Sequence, residues 1–182
     1  MKKLFVIAAM MVAAVTANAQ QMFIKPMVGG TLTTFTGDAD NAKMKVGLVA
    51  GAEFGYNFAE NMGVTAGLLY TMQGSGVKDF DDKQKCDYLN IPVLFNYYVI
   101  PGLALKAGVQ PGFLMSAKYG DTDMKDAYEK IDFAIPLGAS YEISDFVIDA
   151  RYNLGLTDIA KSNLAKVHNS VIMLTIGYKI PF

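Results

Sequence analysis

The chain has 182 residues with 16 Lys plus Arg against 17 Asp plus Glu. That near-neutral balance excludes the basic surface on which nucleic-acid binding depends. A single cysteine, Cys86, excludes an internal disulfide and reads as a free thiol in a loop. Past the amino-terminal segment no apolar stretch reaches the ~18 residues of a transmembrane helix.

Met1-Lys2-Lys3 is a short basic start, Leu4 to Val15 is almost unbroken apolar, and Ala17-Asn18-Ala19 is an A-x-A cleavage site. Residues 1–19 therefore read as a signal peptide and 20–182 as one exported domain. From there the pattern is alternation, not helical periodicity. It first appears over 22–34, with Ile24, Val28 and Leu32 on one face and Lys25, Gly29, Thr31 and Thr33 on the other. Over 46–58 the split is Leu48, Ala50, Ala52, Phe54, Tyr56 and Phe58 against Gly51, Glu53, Gly55 and Asn57. Over 63–73 it is Val64, Ala66, Leu68, Tyr70 and Met72 against Thr65, Gly67, Thr71 and Gln73.

The same alternation recurs over 88–99, 103–116, 131–142 and 146–157, where Asn90, Asn96, Lys106, Gln110, Asp132, Glu142, Asp149 and Arg151 take the polar face. The last run, 169–182, sets Ile172, Leu174, Ile176, Tyr178, Ile180 and Phe182 against Asn169, Thr175, Gly177 and Lys179. Successive strand side chains point to opposite faces, so each run is apolar on one side only.

Glu60-Asn61, Pro101-Gly102 and Ser144-Asp145 read as tight turns, whereas 35–45, 74–87, 117–130 and 158–168 read as long charged loops. Short turns at one end and long loops at the other is the layout of an outer-membrane barrel. The expected fold is all-β, an eight-stranded antiparallel up-and-down transmembrane β-barrel. A lipocalin-like barrel shares the strand count but turns its greasy face inward and carries many charges outside. Here the polar face is mostly Gly, Ser, Thr and Asn, which suits a narrow interior. Tyr56, Phe58, Tyr97, Tyr141, Phe146 and Phe182 lie beside the short turns and predict an aromatic girdle at headgroup depth. Pro26, Pro92, Pro111, Pro136 and Pro181 fall inside predicted strands, where bulges or breaks are expected at some of them.

An outward apolar face places Lys25, Glu53, Lys106, Asp132, Glu142, Asp149, Arg151 and Lys179 in the lumen as a charge network. It reads either as a plug of ion pairs, an eight-stranded barrel being just wide enough for side chains to fill, or as a selectivity or gating device. Arg151 is expected to pair with Asp149, Asp132 or Glu53, and its removal to leave an uncompensated carboxylate. No catalytic constellation surrounds the only histidine, His168, so no enzymatic activity, cofactor or metal is expected. The aspartates at 79, 81 and 82, and at 121, 123 and 126, lack the EF-hand spacing and read as solvated loop charge.

Two resemblances sharpen this reading. Thr175, Gly177, Ile180 and Phe182 match the polar, glycine, apolar and terminal-aromatic slots of the carboxy-terminal sorting signal of Gram-negative outer-membrane barrels. The mature chain also resembles the outer-membrane β-barrel domain of "porin family", PorT-like proteins. That resemblance rests on Gly67-Leu68-Leu69-Tyr70, on Tyr88-Leu89-Asn90-Ile91-Pro92, and on the run from Asp149 through Arg151-Tyr152-Asn153-Leu154-Gly155 to Ile159. Asn90 stands where the family pattern has Glu, which removes one lumen carboxylate. The resemblance implies the barrel fold and residence in the cell outer membrane, and little about activity; outer-membrane lipid, the barrel-assembly machinery during biogenesis, and a protein or surface ligand at the loops are the expected partners. It leaves three roles open: a structural, adhesive or partner-binding barrel, a channel for small solutes or ions, and a component of a secretion system.

Overall fold

A computed structural model describes residues 22–37, 42–77, 83–120, 122–159 and 167–182. The proposed signal peptide, Asp79, Asp81, Asp82 and Asp121 lie outside these residues. Eight staves form one antiparallel sheet: β1 (Met22–Gly37), β2 (Lys45–Ala59), β3 (Met62–Val77), β4 (Lys83–Asn90 and Val93–Ile100), β5 (Leu103–Tyr119), β6 (Ile131–Ile143), β7 (Phe146–Gly155) and β8 (Val167–Tyr178, continuing as Ile180–Pro181). Each stave pairs with its neighbours in sequence, and β8 pairs back onto β1 from Met27↔Gly177 to Gly37↔Val167. The sheet closes into a ring with no free long edge, so its ladder donors and acceptors are met within the ring.

Two-residue turns at Glu60-Asn61, Pro101-Gly102 and Ser144-Asp145 lie at the same end as Met22 and Phe182. Gly102 and Ser144 adopt positive φ there, at 86° and 56°. At the far end the staves run further than expected. β1, β3 and β5 are 16, 16 and 17 residues long and absorb much of the sequence read as loop. Short pieces, Ala42–Lys43 and Thr122–Asp123, extend the hairpins beyond them. Cys86 is corrected by this extension: it is a fully buried residue of β4, not a loop thiol. Polar side chains outnumber apolar ones in the projecting segments, so the alternation that marks a strand fades there.

The outward face is as expected. Ile24, Val28, Leu48, Leu68, Val93, Leu105, Leu137, Ile148, Leu174 and Ile176 are each more than 40% exposed. A belt of this extent encircling the ring far exceeds the apolar patches that water-soluble monomers tolerate, and it fits hydrocarbon. The turn-end girdle is also in place. Phe182 packs on Phe54 at 6.0 Å, Phe58 on Phe95 at 6.3 Å and Phe146 edge-on to Tyr178 at 5.2 Å between ring centres.

Of the five in-strand prolines only Pro92 breaks its stave. The ladder is held on either side of the break by Gly67 N–H to the Pro92 carbonyl and Ile91 N–H to the Pro111 carbonyl, both at 2.9 Å. The irregular registers fall elsewhere, at Asn57/Ala59, Asp87/Tyr88 and Tyr98/Ile100. A further one lies along β3, which pairs with β2 from Val49↔Thr71 downward and with the short piece Ala42–Lys43 at Lys43↔Gly76, one residue out of that register. In that gap side chains bond the β3 carbonyls. Thr31 Oγ1 donates to Met72 O at 3.0 Å, Thr33 Oγ1 to Gly74 O at 2.7 Å and Lys45 Nζ to Gln73 O at 2.5 Å. Gly47 makes the first of these reachable, because a Cβ there would collide with both Met72 O and Thr31 Oγ1.

Candidate functional site: the lumen

The inward phase of the staves fills the ring. Lys25 on β1, Glu53 on β2, Lys106 on β5 and Asp149 and Arg151 on β7 converge on one cluster, every side chain 5% exposed or less. Asp149 is its hub. One carboxylate oxygen meets Lys106 Nζ at 2.5 Å and Lys25 Nζ at 3.6 Å, and Arg151 grips the same carboxylate from Nε at 2.6 Å and Nη2 at 2.8 Å. Glu53 lies on the opposite side, 2.9 Å from Lys25 and 2.5 Å from Arg151 Nη1. Arg151 therefore bridges both carboxylates, which its planar fork of donors suits better than a lysine ammonium would.

The other three candidate charges stand apart. Lys179 and Glu142 pair at 2.8 Å near the turn-end mouth, where Tyr98 also donates to Glu142 at 3.1 Å and the ammonium lies 4.6 Å over the Phe23 ring. Asp132, at the loop end, accepts from Asn169 Nδ2 at 2.7 Å and does not meet Arg151. The expectation that losing Arg151 would strand a carboxylate is overturned. Glu53 would keep Lys25, and Asp149 would keep Lys106.

Sequence reasoning missed that much of the lumen is apolar. Met27, Val49, Leu69 and Met173 form one buried layer beside the charge cluster. Phe35, Cys86, Tyr88, Leu114, Ala117, Tyr128 and Ile159 form a second at the loop end, with Val167 packed against it. Tyr128 and Ile159 come from connecting segments that fold into the mouth. Glu129 N–H donates to the Ile159 carbonyl at 2.9 Å, and Ile159 N–H to the Val167 carbonyl at 2.8 Å. Burial in this cap holds the Tyr128 phenol above its ordinary pKa. A polar layer lies between the two apolar ones. Thr71 Oγ1 there accepts from Gln73 Nε2 at 2.8 Å and from Asn90 Nδ2 at 2.7 Å. Asn90, in the slot where the family pattern has Glu, thus serves as a neutral donor.

Of the sorting-signal residues, Thr175 and Gly177 face the lumen, while Ile180 and Phe182 face outward and Phe182 N–H donates to Met22 O at 3.1 Å. Among the described residues no group of three or more His, Cys, Asp or Glu could hold a metal. The ring nitrogen Nδ1 of His168 lies 3.0 Å from the Thr157 carbonyl.

A closed ring with an apolar belt outside and enclosed charges inside needs a lipid surround. Residues 18–161 match the family described as "Outer membrane protein beta-barrel domain". The chain belongs to that family, and it resides in the cell outer membrane. No curated protein matches it. Solved structures with the same fold include Ail, the attachment invasion locus protein of Yersinia pestis, at 19% identity and TM-score 0.55, covering 88% of this chain and 99% of that one. Neisserial surface protein A is similar at 15% identity and TM-score 0.57, covering 88% and 97%. OprG of Pseudomonas aeruginosa is similar at 17% identity and TM-score 0.50, covering 89% and 97%. The likeness is one of fold.

Proposed function

We propose that this protein is a non-enzymatic barrel whose lumen is closed by its own side chains and whose function is carried at the loop end, as an adhesive or ligand-binding surface. The observation that carries this reading is the cluster of Lys25, Glu53, Lys106, Asp149 and Arg151, which crosses the lumen with side chains no more than 5% exposed. A solute passing along the axis would have to part these pairs in a site poor in water. Breaking a buried pair by taking away one partner costs about 3–5 kcal/mol. The apolar cap of Phe35, Tyr88, Tyr128 and Ile159 adds a second closure toward the outside.

With the interior closed, the loop end remains as the surface for contact. A structure of Ail was solved with the heparin analogue sucrose octasulfate. For this chain we extend that to a surface ligand at the loop end, where Lys118, Lys125 and Lys130 are exposed beside Asp123 and Glu129. Planar-bilayer recording of the refolded protein tests the closure. The expected result is a silent membrane for the wild type, and discrete, long-lived openings of the wild type would establish the channel reading instead. Cell or glycan-array binding by the wild type, lost when the loop-end lysines are replaced together, tests the surface role.

A further inference from the structure

The central charge cluster does not balance. Lys25, Lys106 and Arg151 carry three positive charges, and Glu53 and Asp149 carry two negative ones, all on side chains at most 5% exposed. The nearby acids do not make up the difference. Glu142 is taken by Lys179 at 2.8 Å. Asp132 lies six residues along β6 from Gly138, the residue that pairs with both Arg151 and Lys106, and so roughly 20 Å away along the stave at the rise of a strand. An unmatched charge enclosed in this way is costly unless a counter-charge accompanies it.

Directly on the turn-end side of the cluster the structure leaves a small recess. Lys25 and Lys106 line it, together with Thr65, Asn96, Ser140 and Glu142, and Phe23, Tyr98 and Val147 complete it. Its volume is about 10 Å³, the room of a single small occupant. Two ammonium-bearing chains and two hydroxyls offer donors. The Asn96 amide is nearly uncommitted: its Oδ1 has no protein partner, and its Nδ2 reaches Thr65 only at 3.5 Å. A half-turn of that amide exchanges acceptor for donor at no cost in shape.

We propose that this recess binds one halide-sized monovalent anion, chloride in the cell, which completes the charge balance of the lumen cluster. The anion enters from the turn-end mouth past Glu142 and Lys179. The site excludes larger oxyanions by volume, and divalent cations by the excess of positive charge.

Thermal unfolding of the refolded full mature chain tests this at constant ionic strength, with chloride exchanged stepwise for gluconate, which is too large for the recess. The wild type should lose several degrees of melting temperature in gluconate and regain them saturably with chloride or bromide. Asn96→Asp places a carboxylate in the recess, and Lys106→Met removes the excess charge. Either variant should unfold at the same temperature in both anions. Crystals of the wild type grown in sodium bromide should show an anomalous peak beside Lys106, absent in Asn96→Asp. An equal melting temperature of the wild type in chloride and gluconate would overturn the proposal. So would a chloride effect that persists undiminished in both variants, or a recess holding water without an anomalous signal. The crystallographic test stands even where a variant fails to refold.

Discussion

Asp149, not Arg151, should be the residue on which the interior depends. Asp149 touches Lys106, Lys25 and Arg151, and for Lys106 it is the only carboxylate within ion-pair distance among the described residues. Asp149→Asn keeps the shape but leaves Lys106 enclosed without a counter-charge. Losing one partner of a buried pair costs about 3–5 kcal/mol. Arg151→Met removes one of three cations that face two carboxylates. Glu53 retains Lys25 at 2.9 Å and Asp149 retains Lys106 at 2.5 Å. The loss is then that of charge-assisted hydrogen bonds, about 1.5–3 kcal/mol, partly offset because the long apolar Met side chain refills the space. Asp149→Asn should therefore be the more damaging change by about 2 kcal/mol. The chain has no tryptophan, so urea unfolding in lipid is best followed by circular dichroism and by the gel shift between folded and unfolded barrel. Equal costs, or a larger cost for Arg151→Met, would refute the hub assignment. Costs below 1 kcal/mol for both would show that water already shares the cluster.

Three further outcomes follow from the same geometry. Deleting Phe182 should lower the amount of folded barrel in cells more than its stability in detergent, because the ring lies on the lipid side against Phe54 and belongs to the sorting-signal pattern; normal surface levels would count against it. Cys86 should resist maleimide in the folded wild type, being fully buried in the loop-end cap, and become reactive in Tyr128→Ala, as read by mass shift. Thr33→Val should leave the Gly74 carbonyl without the hydroxyl that reaches it at 2.7 Å across the β2–β3 gap, costing about 1–3 kcal/mol by urea unfolding and speeding amide exchange near residues 72–75.

What could be read from the sequence is what a period of two encodes. Every run from Ile24 to Phe182 keeps its phase over the membrane-facing span, because one misplaced phase would turn a charge such as Asp149 or Lys106 into hydrocarbon. The outward face was therefore legible residue by residue. The inward placement of Lys25, Glu53, Lys106, Asp149 and Arg151 was legible too, since an ionised group in the inward phase has nowhere else to go, but not that Asp132, Glu142 and Lys179 stand apart from them. Partnerships were not legible. Glu53 is 98 residues from Arg151, and which lysine meets which acid depends on the closure of the ring, on stave tilt and on side-chain reach across it.

The apolar layers escaped for a different reason. Met27, Val49, Leu69 and Met173 occupy the polar phase, and a reading that sorts faces by their majority character passes over them. Their presence carries information about function. On the closed-lumen reading proposed above, this Met-Leu-Val layer excludes water from the ion pairs beside it and so strengthens them. The charge cluster and the apolar layer thus depend on one another. Opening a path through this lumen by a single substitution in either should cost stability before it yields conductance.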